Sequence, residues 1–200
     1  MDGSSLETEL RALASAGDHA AAIAGLVKGF GPEIWTYLAG VLRSSDDEIG
    51  DAFAAFCEDV CRGLPSFRFE SSVRTWAYVV ARRAALRQQR ESRRRARRFD
   101  GPAELEAIAQ AVRSTTVEHL RTTNHARLAA VRDQLDHDDR TILILRVDRQ
   151  LPWREIAQVM ADTELDREAL RKREQVLRKK FEAIKRQLRA QLARYPSGPT

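Results

Sequence analysis

Apolar side chains recur at helical spacing along most of this 200-residue sequence, and that pattern limits the fold more than any other feature. The stretch from Ile49 to Leu64 is typical, because Phe53, Phe56 and Val60 fall between them at steps of three or four residues. Glycine and proline, which interrupt helices, contribute only 10 and 6 residues. The sequence therefore predicts an all-α fold.

Breaks in the apolar pattern predict where the helices begin and end. Asp18 is a suitable N-cap for a helix that runs towards Gly29, and Pro32 then predicts the start of another. Later helices are predicted to start at Ser45 or Asp46, about Ser72, Asp138 or Asp139, Pro152 and about Arg167.

The predicted helices form two small domains. Residues 1–98 form the first, and residues 124–194 form the second, which has the pattern of a helix-turn-helix. Between them, residues 99–123 contain Asp100-Gly-Pro102 and several Ser and Thr residues, which is typical of a linker, and residues 195–200 form a frayed tail. A flexible linker would let free protein sample many arrangements of the domains until a partner fixes one.

Charge is distributed in blocks. Residues 81–98 hold nine arginines and one glutamate, and residues 166–194 hold 11 basic and 4 acidic residues. Each block follows an acidic stretch: residues 1–80 hold 12 acidic and 6 basic residues, and residues 99–165 hold 12 and 8. Two separated basic blocks suggest two contacts with a polyanion such as nucleic acid.

Other classes of protein find little support. No apolar run approaches the roughly 20 residues of a membrane span, and the first residues lack the pattern of a secretory signal, so we expect a cytoplasmic protein. No phosphate loop, nucleophile motif or metal-ligand cluster is found, which argues against an enzyme, a cofactor or a metal. Cys57 and Cys61 are interpreted as ordinary, reduced helix positions, with a redox switch as the alternative.

The second basic block is typical of a helix that contacts base edges in the major groove of DNA. Ala157 in the preceding short helix would let two helices cross closely, and the next helix opens with basic residues suited to guanine or phosphate. Its apolar stripe is predicted to contain Leu170, Val176, Leu177, Phe181, Ile184 and Leu188. A solvated charged helix or a coiled-coil arm is the alternative.

The first basic block follows a loop rich in aromatic rings. Phe67, Phe69, Trp76 and Tyr78 lie beside arginines, a combination that suits unpaired bases, because rings stack on bases while arginines follow phosphates. Trp76 and Phe67 could equally be core residues. The arginines of residues 93–98 could serve only as an electrostatic tether.

At these residues the chain resembles a known family. LPSFRFESSVRTWAYVVARRAAL is similar to the "L..F.G.SSFRTWLY.IARN.ALD" segment of sigma factors, and Ala16-Gly17-Asp18 to the "AGD" of the extracytoplasmic-function group. DDEIGDAFAAF resembles the helix "ADDLVQEVF" with which that family grips RNA polymerase. LDHDDRTILILRVDRQLPWREIAQVM and ALRKREQVLRKKF resemble its helix-turn-helix and recognition helix. The likeness covers about 165 residues in the expected order.

The resemblance implies a non-enzymatic protein whose partners are core RNA polymerase and promoter DNA. Polymerase binding is assigned by it to Asp47, Ile49, Asp51 and Phe53. A loop that holds the flipped base of the minus-ten element is assigned to Phe67, Arg68, Phe69, Glu70, Ser71 and Ser72. The helix facing that element carries Arg74, Thr75, Trp76, Val79, Arg82 and Arg83. Contact with the duplex minus-thirty-five element is assigned to Arg167, Arg171, Lys172, Arg173, Gln175, Arg178 and Lys179.

Several departures from the family pattern matter. Gly50 replaces a usual glutamine, Arg83 replaces a common asparagine, and Glu174 replaces an apolar residue. The turn 161–166 is about three residues longer than usual, which leaves the start of the recognition helix and its base-reading positions open.

Two other functions remain open. The first is a helix-turn-helix regulator that does not engage polymerase, although such a protein has no need of the acidic helix around residues 47–59. The second is a basic helical adaptor for RNA or an acidic partner. Many relatives are held by an anti-sigma protein, but no residue of this sequence identifies one.

Overall fold

The computed structural model describes residues 3–98 and 130–194, and within these two ranges the regular elements are all helical. This confirms the predicted all-α class. Residues 99–129 and 195–200, which include the predicted linker, the start of the second domain and the tail, lie outside the described residues. Among the helices that are described, none combines the length and apolar character needed to cross a membrane.

Four helices form the N-terminal module. They are α1 (Gly3–Ser15), α2 (His19–Leu42), α3 (Asp46–Gly63) and α4 (Val73–Arg98), with a short 3-10 turn (Leu64–Ser66) after α3. The C-terminal module contains the helical residues 130–133, α5 (His137–Leu143), a π-helical turn (Ile144–Asp148), α6 (Trp153–Val159) and α7 (Arg167–Arg194).

Helix α2 is longer than the sequence pattern predicted. Asp18 does cap it, since its carboxylate accepts a hydrogen bond from the N–H of Ala21 at 3.0 Å. The expected break at Gly29 and Pro32 was wrong, because α2 continues through both to Leu42. Proline removes one backbone hydrogen bond, but the burial of Phe30, Ile34 and their neighbours on both sides keeps the helix continuous.

Helix α3 is well specified by its sequence. The Ser45 hydroxyl accepts a hydrogen bond from the N–H of Glu48, and the first turn carries three acidic side chains at the positive end of the helix.

Cys57 and Cys61 lie on this helix as free thiols, the first half-buried and the second exposed. Burial raises the pKa of the Cys57 thiol, since the thiolate is poorly solvated there.

Capping side chains fix the helix starts of the C-terminal module. Asp136 caps α5 by accepting from the N–H of Asp139 at 2.7 Å, so α5 begins at His137, one or two residues before the predicted start. Asp166 accepts from the N–H of Ala169 at 2.8 Å, and α7 therefore begins at Arg167. The start of this helix was left open by the sequence.

The two modules contact each other through a continuous apolar core. A Cβ atom placed on Gly40 in α2 would lie 3.0 Å from Cδ1 of Ile144, so the backbone of α2 and the π-helical turn approach closely. The Arg140 guanidinium donates to the carbonyl of Val41 at 3.0 Å, and Arg43 pairs with Asp133 at 2.5 Å. The structure thus places the two modules in contact, and the expected sampling of many arrangements by free protein stays a prediction.

Candidate nucleic-acid interface

Of the four predicted polymerase-binding residues of α3, two are exposed, one is buried and one is half-buried. Asp47 and Asp51 are exposed one turn apart, whereas Ile49 belongs to the core with only 5% of its surface accessible. Phe53 is half-buried, and its ring meets that of Trp35 edge to face at 5.4 Å. Solvent can therefore reach the two carboxylates, but not Ile49.

Trp35 was missed as a surface residue. It lies on α2 beside Phe53 and is 40% exposed. No local pattern marks it as exposed, since adjacent residues of the same helix, such as Tyr37 and Leu38, are both fully buried. Trp35 of α2 and the two carboxylates of α3 are thus exposed residues of neighbouring helices, and we call Trp35, Asp47 and Asp51 together the acidic-aromatic patch.

The start of α4 is fixed by two capping residues. Ser72 Oγ accepts from the N–H of Thr75 at 3.0 Å, and its hydroxyl donates to Thr75 Oγ1 at 2.7 Å. The carboxylate of Glu7 in α1 also accepts from the N–H groups of Val73 and Arg74, 66 and 67 residues away in sequence. Helix α1 thus holds the junction between the predicted base-capture loop and α4 in place.

Three rings of the loop and α4 form a cluster. Phe67 stacks on Trp76 with ring centroids 4.9 Å apart, and Phe69 lies 4.7 Å from Phe67. All three are half-buried against the core, whereas Tyr78 is fully buried and touches Tyr37 edge to face at 5.3 Å. Tyr78 is therefore a core residue and cannot stack on a base.

Phe69 has an unusual backbone. Its φ angle is +55°, a conformation that bulky residues rarely adopt, and it stands where the similar segment of sigma factors has glycine. The guanidinium carbon of Arg11 on α1 lies 5.3 Å from the Phe69 ring centroid, over its face. The strained residue is thus held between the Phe67 ring and a cation from α1.

Arg74 forms a bidentate ion pair with Glu33, so its guanidinium is not free in solvent. Its Nε and Nη2 donate to the two carboxylate oxygens of Glu33 in α2, both at 3.0 Å. The hydrogen bond with Glu33 raises the pKa of Arg74, against the opposing effect of burial. The pair joins α2 to the first turn of α4.

Two predicted minus-ten residues of α4 are covered by the C-terminal module. Thr75 is fully buried, and its hydroxyl donates to Glu155 Oε2 at 2.7 Å. The guanidinium of Arg82 lies between Asp138 Oδ1 at 3.2 Å and Asp162 Oδ1 at 3.3 Å. Val79 is half-buried.

The remaining predicted minus-ten residues are at least partly accessible. Arg83 is exposed on α4. In the loop, Arg68 and Glu70 are exposed and form an ion pair at 3.5 Å, while Ser71 is half-buried.

Helix α7 presents all seven of its predicted minus-thirty-five residues to solvent. Arg167, Arg171 and Gln175 lie one turn apart and are exposed. A cleft of about 370 Å³ is lined by the first two of these, by Leu170 and Glu174, and by Arg154 of α6. Arg154 was not predicted, and its position two residues after Pro152, at the start of the preceding helix, is the signal that could have found it. Three guanidinium groups around one open cleft favour an anionic ligand such as a phosphate.

Some basic residues of α7 have structural partners. Nη2 of Arg173 donates to the Met160 carbonyl at 2.9 Å, where α6 ends, so this arginine joins the two helices. Arg178 pairs with Glu174 at 2.6 Å and lies 5.7 Å from the Trp153 ring centroid. Lys172 forms an exposed ion pair with Glu168 at 2.7 Å, a contact that nucleic acid could readily replace.

One member of the predicted apolar stripe of α7 does not face the core. Val176 is 58% exposed, whereas Leu170, Leu177 and Ile184 are buried. The helical period puts Val176 one turn from Lys172, on the basic side.

In the described part of the chain, no three His, Cys, Asp or Glu side chains come together as metal ligands.

The geometry agrees with a comparison to a known family. Residues 26–99, which run from α2 through α3 and α4, match sigma-70 region 2. No curated protein matches the chain. The matched segment contains the acidic-aromatic patch and the arginine-bearing helix α4, so residues 26–99 are similar to region 2 of the sigma-70 family of sigma factors.

Proposed function

We propose that this chain is a sigma factor of the extracytoplasmic-function type, which binds core RNA polymerase and directs initiation at particular promoters in the cytoplasm. The observation that carries the proposal is the sigma-70 region 2 match across α2–α4, together with an exposed basic recognition helix in a second module. A protein that only binds duplex DNA has no use for the first of these.

Each face of the molecule has a proposed partner. The acidic-aromatic patch would bind polymerase, and the edge-to-face contact with Phe53 would hold the Trp35 ring in position. The loop 67–72 and the α4 residues Arg74, Thr75, Trp76, Val79, Arg82 and Arg83 would hold the minus-ten strand. Half-buried rings next to arginines suit a strand whose bases are unpaired. Helix α7, with Arg154, would lie on the minus-thirty-five duplex.

The mechanism uses binding energy and no covalent step. Opening a duplex costs a few kcal/mol per unstacked base, and capture of a flipped base by the ring loop offsets part of that cost. Ion pairs with phosphates add affinity that falls as salt rises. Core polymerase catalyses RNA synthesis, and this chain determines the position on the DNA at which synthesis begins.

Run-off transcription with purified core polymerase on genomic fragments tests this proposal. We expect defined transcripts only when the protein is present. Fragments that are bound but not transcribed would contradict the proposal and support a regulator that does not engage polymerase. That second candidate is favoured by one observation, namely that the basic residues of α7 are exposed while Thr75 and Arg82 are covered. Binding without any sequence preference would instead indicate a basic adaptor.

A further inference from the structure

Acidic side chains of the C-terminal module take the place of an anionic strand on α4. Glu155, at the start of α6, accepts the hydroxyl hydrogen bond of Thr75 at 2.7 Å. Asp138 of α5 and Asp162 in the turn after α6 hold the Arg82 guanidinium from two sides, which leaves 7% of that side chain exposed. Carboxylates thus occupy the donors that phosphates would need.

The same module reaches the predicted base-capture loop. Glu164, two residues after Asp162 in the long turn 161–166, pairs with Arg68 at 3.3 Å. The turn therefore has two roles. Its last residue, Asp166, caps α7, and its earlier acidic residues lie against the loop and α4. All of these contacts come from residues of the turn 161–166.

Close packing accompanies the polar contacts. Helix α6 contacts α4, and α5 contacts α2. On the α2 side, Gly40 admits the side chain of Ile144, and Arg140 donates to the Val41 carbonyl at 3.0 Å. The arrangement is therefore an interface with its own apolar contacts, and more than a set of ion pairs.

The two DNA-binding surfaces differ in accessibility. Arg171 and Lys179 of α7 are exposed, and so is Arg154, which lines the same cleft as Arg171. Thr75 and Arg82 of α4 are not accessible to any other molecule while the modules stay together. The closed arrangement leaves duplex binding available and covers two of the hydrogen-bond donors that the unpaired strand would use, Thr75 and Arg82.

We propose that the C-terminal module is an intramolecular inhibitor of the minus-ten surface, with Glu155, Asp138 and Asp162 acting as competitors of the DNA strand. The proposal depends on the sigma function proposed above. The side chains of Asp138 and Asp162 are accessible to solvent and form weak pairs, so the closed state can open at modest cost. Polymerase shifts the equilibrium to the open state to the extent that it binds that state more tightly than the closed one. Until then, the affinity for the strand is reduced by the small fraction of open molecules.

A charge-neutral variant of the full chain tests the inhibitor directly. Glu155→Gln, Asp138→Asn and Asp162→Asn are combined, and binding of a labelled single-stranded DNA of about 20 random nucleotides is measured. We expect affinity to rise about tenfold, because the closed state loses its polar contacts. The control combines Glu9→Gln, Glu58→Gln and Glu182→Gln, three exposed positions with the same total charge change, and it should stay within about twofold of the wild type.

Two further variants test the uncovered group and the closed state separately. Adding Arg82→Ala to the neutral variant should abolish the gain, because that arginine is the group uncovered. In the opposite direction, Arg68→Cys and Glu164→Cys, with Cys57→Ser and Cys61→Ser, allow a short bis-maleimide to hold the modules closed. Crosslinked protein should lose at least about tenfold in run-off transcription relative to the same protein before crosslinking, while keeping its affinity for duplex DNA.

The outcomes separate this inference from the proposed function. If the neutral variant binds the strand no better than its control, and crosslinked protein transcribes as well as uncrosslinked protein, the inhibitor is contradicted while the sigma function stands. If the wild type and the uncrosslinked variant both give no transcript, the proposed function fails, and the oligonucleotide measurement still decides whether the module covers the surface.

Discussion

The carboxylate of Glu7 in α1 accepts a hydrogen bond from the backbone N–H of Val73, the first residue of α4. The same carboxylate also accepts from the N–H of Arg74 at 3.4 Å. A helix leaves its first N–H groups without partners, and a negative charge near them is favourable. An N-terminal helix thus stabilises the helix that carries the predicted minus-ten residues.

Removing this carboxylate should destabilise the fold by a modest amount. We expect Glu7→Ala to lower the free energy of unfolding by about 1 kcal/mol, as for the loss of an N-cap, and Glu7→Gln to cost less because the amide keeps an acceptor. Chemical denaturation followed by circular dichroism measures this difference. Glu9→Ala, an exposed site on the same helix, should change stability by less than about 0.5 kcal/mol. Equal losses in the Glu7 and Glu9 variants would show that the cap contributes nothing.

Two arginines of α7 that lie close together in sequence should have different roles. Arg171 is exposed at the cleft beside Arg154, so Arg171→Ala should weaken binding to a duplex promoter fragment by about 1–3 kcal/mol with little change in stability. Arg173 donates to the Met160 carbonyl, so Arg173→Ala should lower the free energy of unfolding by about 1–2 kcal/mol. Fluorescence anisotropy at two salt concentrations and thermal unfolding separate these effects. The assignment would be reversed if Arg173→Ala weakened binding more than Arg171→Ala at equal stability.

His137 predicts a pH dependence of stability. Burial lowers the pKa of its imidazole, with contributions from Arg82, Arg140 and Arg93, while Asp138 opposes them. As pH falls through the unfolded value of about 6.5, the unfolded chain gains a proton that the folded chain does not bind. Stability should therefore be highest above that pH, fall as pH decreases, and level off below the folded pKa.

A histidine replacement isolates this contribution. The free energy of unfolding is measured between about pH 7.5 and 5.5 for the wild type and for His137→Gln. The variant should lose less stability than the wild type across this range, since its amide does not titrate. Parallel curves for the two proteins would mean that His137 is not the titrating group.

Local sequence signals predicted the helices that depend on local chemistry. Asp18, Ser45 and the run of apolar residues in α3 act within one or two turns, and the structure confirms each of them. The break at Pro32 failed because burial of Phe30 and Ile34 outweighed the missing hydrogen bond. Tertiary packing of that kind is not visible in a window of a few residues.

The candidate site was only partly predictable for a similar reason. The sequence identified α4 and α7 as basic helices, but it could not show that Asp138, Asp162 and Glu155 lie against α4, since those contacts join residues at least 56 apart. Nor could it show that Arg173 faces Met160 while Arg171 faces solvent. These distinctions depend on how the modules pack.

The central claim is that the exposed carboxylates of α3 hold this chain on RNA polymerase, and its affinity for purified core polymerase tests that claim most directly. Asp47→Lys with Asp51→Lys reverses two exposed charges without touching the buried Ile49 between them. We expect affinity to fall about 10- to 100-fold, because rim charges that face a complementary surface become repulsive. Glu9→Lys with Glu182→Lys, an equal charge change on α1 and α7, should bind like the wild type. Undiminished binding by the Asp47 and Asp51 variant would contradict the account.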